Sequence, residues 1–143
     1  MQMKISISSA SQQQTQKINK RPQLALDAAF KQIGSGVDIY IERHGHGKKS
    51  LEGSRLKVHY EGWLEENYKM FDSSRAKRRP FEFDLGKGTV IAGWDIALKD
   101  VRQGTKMQIK IPAKLAYGRQ GVTSMGIPPN ADLIFKVEVL KIS

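Results

Sequence analysis

The stretch TVIAGWDIAL, residues 89–98, sets Trp94 immediately after Gly93, at the start of a segment with helical spacing. A helix this short that packs across a sheet carries the indole near the sheet's end. There the indole can be the floor of a pocket. Tyr60, Phe81 and Phe135 fall at inward positions of alternating segments and can supply walls. Phe71, after a loop, can add another. A ring-lined pocket with few polar groups suits small apolar ligands or side chains. The competing reading is an ordinary core built from the same rings, and pattern alone leaves both open.

Other chemistries find little support. His44 and His46 flank a glycine in RHGHGKK with no third ligand at a useful spacing, which reads as a turn rather than a metal site. His59 alternates to the outer face of its strand. No histidine has a supported Ser or Asp partner, so no catalytic triad is proposed. LGKGT lacks the full phosphate-loop pattern. Glu65 and Glu66 read as turn acids. Asp72, in FDSS, is either a turn-forming carboxylate or a pocket group, and Tyr117, before Gly118, is either a structural corner or a pocket group. The chain has no cysteine, which excludes disulfides and thiol chemistry. No metal or organic cofactor is implied.

The elements that must position these residues follow from periodicity. Val37/Ile39/Ile41, Leu56/Val58/Tyr60, Phe81/Phe83/Leu85, Met107/Ile109/Ile111 and Leu133/Phe135/Val137/Val139 each alternate with polar residues. Half-buried strands of this kind belong to an antiparallel sheet, and the connections are too short for repeated βαβ crossovers. Val90, Trp94, Leu98 and Val101 lie near one face of a single helix over about 91–98. The expected fold class is α+β, with a sheet of five to six strands and one short helix across its apolar face. Residues 37–143 form one domain. Residues 1–36 are an extension: a disordered tail over 1–22, then a short helix with Leu26, Phe30 and Ile33 on one face, stopped by GSG at 34–36.

The net charge of +10 divides into +4 over residues 1–36 and +6 over 37–143, so the excess is spread along the chain. Such a balance attracts polyanions without naming a partner. SSRAKRRP places Arg75, Lys77, Arg78 and Arg79 within five positions. It reads as a solvated loop beside the pocket that steers acidic peptides; a nucleic-acid patch is the weaker alternative, because no aromatic-plus-basic stacking motif accompanies it. The N-terminus lacks the apolar region of a secretory signal, and no apolar run approaches the roughly 18 residues of a membrane span. The expectation is a cytoplasmic monomer that does not engage a membrane, with organelle targeting by the acidic-poor N-terminal segment left open.

In order along the chain, KVHYEGWL, FDSSR, PFEFDLGKGTVIAGWDIAL, QGTKMQIKIP, AYG and GIPPNADLIFKVEVLKI closely resemble the FKBP family of macrolide-binding peptidyl-prolyl isomerases. The resemblance runs from about Val37 to Ile142. It implies a twisted antiparallel sheet wrapped round the short helix, and a pocket with Trp94 as floor. By motif, Tyr60, Asp72, Trp94, Tyr117 and Phe135 match the family's catalytic positions. Phe71, Phe81, Val90, Ile91 and Ile127 match its ligand-binding positions. The implied function is rotation about Xaa-Pro bonds to assist protein folding. A macrolide- or peptide-binding or chaperone module of the same fold with little turnover is the alternative. Proline-containing polypeptides and rapamycin-like macrolides are the implied partners.

The chemistry fits the residue types. The rotational barrier of a peptide bond is about 18–20 kcal/mol, and no covalent bond breaks in crossing it. No nucleophile is needed. A dry pocket stabilises the planar amide's charged oxygen less than water does, and groups that bind only the twisted amide raise the rate. The resemblance implies that the Ile91 N–H and the Tyr117 hydroxyl donate to ligand carbonyls and that Asp72 accepts from a bound hydroxyl. Two stretches, YEGWLEENYKMFDSS and AYGRQGVTSMGIPP, look about one residue longer than common family spacing. The second is expected to overhang the pocket, with Met125 and Ile127 at its tip, and to bear on substrate preference.

Overall fold

A computed structural model describes residues 22–143. The tail expected over 1–22 lies, apart from Pro22, outside the described residues. Seven antiparallel strands form one sheet: β1 (Lys31–Gly34), β2 (Val37–Arg43), β3 (Arg55–Leu64), β4 (Met70–Ser73), β5 (Phe81–Asp84), β6 (Lys106–Ile111) and β7 (Leu133–Ile142). Their order is β1-β2-β6-β7-β3-β4, with β5 also on β3. The ten-residue strand β3 splits its outer edge. Its first half pairs with β5 through Arg55↔Asp84 to Val58↔Phe81, and its second half with β4 through Glu61↔Ser73 to Trp63↔Met70. That division brings Phe71 and Phe81, from different strands, to the same end of the sheet as Tyr60.

The alternation read from the sequence becomes the core. Leu56, Val58, Met107, Ile109, Leu133, Val137 and Val139 are all at most 1% exposed. The helix α1 (Ala92–Ala97) lies among them and buries Gly93, Trp94 and Ala97. Six residues are too few to hold a helix alone in water, so packing holds this one. A Cβ at Gly93 would stand 2.4 Å from Ile111 Cγ2, so the missing side chain is what lets α1 close onto β6. At its other end, the buried Ser50 hydroxyl donates to Leu98 O at 2.7 Å and accepts from Val101 N at 3.0 Å.

The N-terminal reading needs correction. The expected helix shrinks to a single 3-10 turn, Asp27–Ala29, and Lys31–Gly34 is a strand paired with β2. GSG is a hairpin turn rather than a helix stop, with Ser35 and Gly36 both at positive φ, 52° and 92°. Phe30 packs on Tyr40 at 6.1 Å, Lys110 Nζ stands 4.5 Å from the Phe30 ring centre, and Ala25 N donates to Gln108 Oε1 at 2.8 Å. Residues 25–34 therefore belong to the sheet and its outer face. The sheet has seven strands rather than five or six because β1 and β4 were not legible as strands.

Candidate functional site

One end of the helix and one end of the sheet enclose a cavity of about 380 Å³. Trp94, 4% exposed, sits in the first turn of α1 and forms its floor. Three rings stand nearly upright around the indole: Tyr60 at 5.1 Å and 83°, Phe135 at 5.4 Å and 82°, and Phe81 at 6.1 Å and 75°. Phe71 meets Phe135 edge-on at 5.6 Å and 90°. Edge-to-face pairs are favoured by the ring quadrupoles, so the walls brace one another without closing the floor. Gly62 makes this possible on β3: a Cβ there would lie 2.7 Å from Phe71 and 2.8 Å from Phe135. The indole Nε1 is buried with no hydrogen-bond partner among the described residues. Such an orphan donor costs about 1–3 kcal/mol, so Trp94 is held here for its face rather than its N–H.

The polar side chains lining the cup are those of Tyr60, Asp72, Lys77, Thr89 and Tyr117. Asp72 Oδ2 accepts from the Tyr60 hydroxyl at 2.6 Å, and Oδ1 accepts from Ser73 N at 2.9 Å and from Lys77 Nζ at 2.9 Å. Each carboxylate oxygen can accept about two hydrogen bonds, so Oδ2 keeps one free position. Burial pushes the Asp72 carboxyl up, but Lys77, Tyr60 and Ser73 together outweigh it and hold it below the usual range. Burial, then the bond to Asp72, raises the Tyr60 phenol far above its ordinary value, so it stays a neutral donor. Burial and the Asp72 charge also raise Tyr117, whose hydroxyl makes no hydrogen bond to the described residues. Ile91 caps α1, and its N–H, among the amides a helix start leaves unpaired, bonds to no described residue. Among the described residues no group of three or more His, Asp or Glu could hold a metal ion, and no helix is long and apolar enough to cross a membrane.

Residues 46–140 match the family model for FKBP-type peptidyl-prolyl cis-trans isomerase. The chain belongs to this family. It is 44% identical over 107 residues to an FK506-binding protein of Neisseria meningitidis serogroup B, a match covering 75% of this chain and 96% of that one. It is 45% identical over 94 residues to the peptidyl-prolyl cis-trans isomerase FPR2 of Saccharomyces cerevisiae, covering 66% of this chain and 69% of that one. Among solved structures, the N-terminal domain of FKBP42 from Arabidopsis thaliana superposes with a TM-score of 0.79 at 28% identity, covering 86% of this chain and 98% of that one. AtFKBP13 superposes at 0.73 and 35% identity, covering 80% and 98%. The chain is thus an FKBP-type peptidyl-prolyl cis-trans isomerase, built as an antiparallel sheet on one short helix.

The FKBP cup brings together Tyr60, Phe71, Asp72, Phe81, Val90, Ile91, Trp94, Tyr117 and Phe135. Ile127 is the exception. It is 1% exposed, packed in the core, and does not line the cavity. Its N–H donates to Val122 O at 3.1 Å and its carbonyl accepts from Val122 N at 2.8 Å, which turns its side chain into a support under the loop. Met125, two residues earlier, is the member of that loop that reaches the cup. Lys77 and Thr89 also line it, and neither stands out as a site residue in the sequence. Lys77 was legible only as part of a basic run, and Thr89 only as a residue before the helix. A larger cavity of about 750 Å³ opens between β2 and the end of α1. Ile39, Ile41, Ile96 and Val101 line it, and it contains no Phe, Tyr or Trp.

Proposed function

We propose that this isomerase seats the substrate's proline ring on the Trp94 indole and lets the preceding amide twist between the upright rings of Tyr60, Phe81 and Phe135. The observation that carries the reading is the ring-lined cup, whose only charged groups among the described residues, Asp72 and Lys77, pair with each other at 2.9 Å. A planar amide owes part of its stability to charge on its oxygen, and the cup offers that charge little solvation. The twisted amide carries less charge and loses less. The Ile91 N–H and the Tyr117 hydroxyl, neither with a hydrogen-bond partner among the described residues, then donate to carbonyls flanking the rotating bond. They hold the chain on either side while the bond turns. Interactions that strengthen in the twisted state accelerate the step; those equal in both states only tighten binding.

Macrolides of the FK506 and rapamycin type occupy the same cup in this proposal. The relatives' names support that reading, and Asp72 Oδ2 retains an acceptor position for a ligand hydroxyl. The test is cis–trans exchange of an Ala-Leu-Pro-Phe peptide with and without rapamycin. Acceleration abolished by rapamycin supports one shared cup. Rapamycin binding without acceleration assigns the chain to ligand holding instead, and neither effect rejects the cup as the working site.

A further inference from the structure

We infer that the loop Ser73–Pro80 builds a second subsite, continuous with the cup, in which Arg79 recognises an acidic residue flanking the substrate proline. The inference rests on the cup being the isomerase site. A cavity of about 380 Å³ adjoins the cup and shares Tyr60, Lys77 and Phe81 with it. Its remaining walls are Ser74, Arg79, Pro80 and Glu82. In the inferred pose, a polypeptide whose proline stands on Trp94 continues past the shared Tyr60 and Phe81, so the residue next to the proline falls at this cavity.

Among the described residues, the charges at the subsite leave one lining cation, Arg79, without a carboxylate partner. Lys77 Nζ is held by Asp72 at 2.9 Å, and Glu82 pairs with Arg55 at 3.6 Å. The Ser74 hydroxyl, buried, accepts from Tyr60 N at 2.7 Å and faces His59 Nδ1 at 2.8 Å. Arg75 is bound to Glu138. The exposed Arg79 guanidinium has no carboxylate partner among the described residues.

The backbone that carries it is fixed. Arg79 N donates to Ser74 O at 3.1 Å, Arg78 N to Arg75 O at 3.0 Å, and Ser74 N to Tyr60 O at 3.0 Å. The loop thus hangs from the very residue whose ring walls the cup. Pro80 follows Arg79 and fixes the exit of the chain. A guanidinium presents a planar fork suited to a carboxylate. The subsite is open to water, so the effect is a preference rather than a requirement.

The test uses the full chain and the peptides Ala-Xaa-Pro-Phe and Ala-Leu-Pro-Xaa, with Xaa Glu, Gln or Lys. At low salt kcat/KM for Glu should exceed that for its neutral isostere Gln by about threefold to fivefold on one side of the proline, the upper part of the range of an exposed ion pair. Lys should fall below Gln, and the Glu preference should shrink in about 0.5 M salt. Arg79→Gln should bring the Glu/Gln ratio to about one, and Arg79→Lys should keep part of it. A wild-type ratio of one or less on both sides, or a ratio that survives Arg79→Gln or high salt, overturns the subsite. If no peptide is accelerated, it is the isomerase reading that fails. The same peptides are then ranked by Kd from quenching of tryptophan fluorescence, where the Glu/Gln ratio still decides the subsite.

Discussion

The Tyr60 hydroxyl donates to Asp72 Oδ2 at 2.6 Å, so the ring that forms one wall of the cup also fixes the carboxylate at its rim. The two residues lie on neighbouring strands, β3 and β4, whose Gly62↔Asp72 pairing sets Asp72 diagonally across from Tyr60. Tyr60→Phe keeps the wall and removes the bond. Turnover should fall severalfold, and the fold should lose about 1.5–3 kcal/mol, the net worth of a hydrogen bond to a charged group. Exchange kinetics and urea unfolding of the same variant separate the two effects. An unchanged rate would show that the placement of Asp72 does not matter to the reaction.

Trp94→Ala removes the floor and leaves a void beneath Tyr60, Phe81 and Phe135. Substitutions of this size in a core cost about 3–5 kcal/mol. Rapamycin binding, followed by titration calorimetry below the variant's melting temperature, should be lost. Binding that survived in a folded variant would place the ligand elsewhere.

Asp72 carries a sign for pH. Its carboxyl is held lower in the folded chain than in the unfolded one, where it titrates near its ordinary value of about 3.9. The unfolded chain therefore takes up the proton first as pH falls. The stability Asp72 contributes is complete above about pH 5 and is lost as pH drops through the folded-state value. The stability gap between wild type and Asp72→Asn should be widest near pH 6 and narrow toward pH 3 in urea unfolding. A gap that widened toward low pH would contradict the hydrogen-bonded, ion-paired carboxylate.

The strands that carry the core were legible because their inner faces alternate over four or more residues, as in Leu133, Phe135, Val137 and Val139. Those that escaped had weaker patterns. MFDS is only four residues, half of them polar, and becomes a strand by pairing with Gly62 and its neighbours. Leu26, Phe30 and Ile33 repeat at helical spacing by coincidence. Phe30 turns to Tyr40, Ile33 ends on an edge strand, and the positive φ values at Ser35 and Gly36 fold the segment into a hairpin. Most of the cup followed from motif resemblance. The division of labour in the overhanging loop did not, because whether Ile127 or Met125 reaches the cup depends on how the backbone between Val122 and Ile127 bonds to itself. Lys77 was hidden among its basic neighbours, since only the fold reveals which member of the run meets Asp72.

Gly93 explains why a tryptophan can open so short a helix. In an exposed helix Gly→Ala would stabilise by about 1 kcal/mol. Here the added Cβ would lie 2.4–2.8 Å from Ile111 Cγ2, Cδ1 and Cγ1, inside a packed core, and overpacking of that kind costs about 1–3 kcal/mol. The clash should win, so Gly93→Ala is expected to be net destabilising by up to about 2 kcal/mol. It should also lower affinity for rapamycin, because α1 must lift and carries Trp94 with it. Ile111→Ala removes all three clashing atoms. The double variant should therefore lose less than the sum of the single losses, by an amount a double-mutant cycle in urea reads directly. Strict additivity would mean that α1 does not rest on β6 through this contact, and the floor of the cup would need another support.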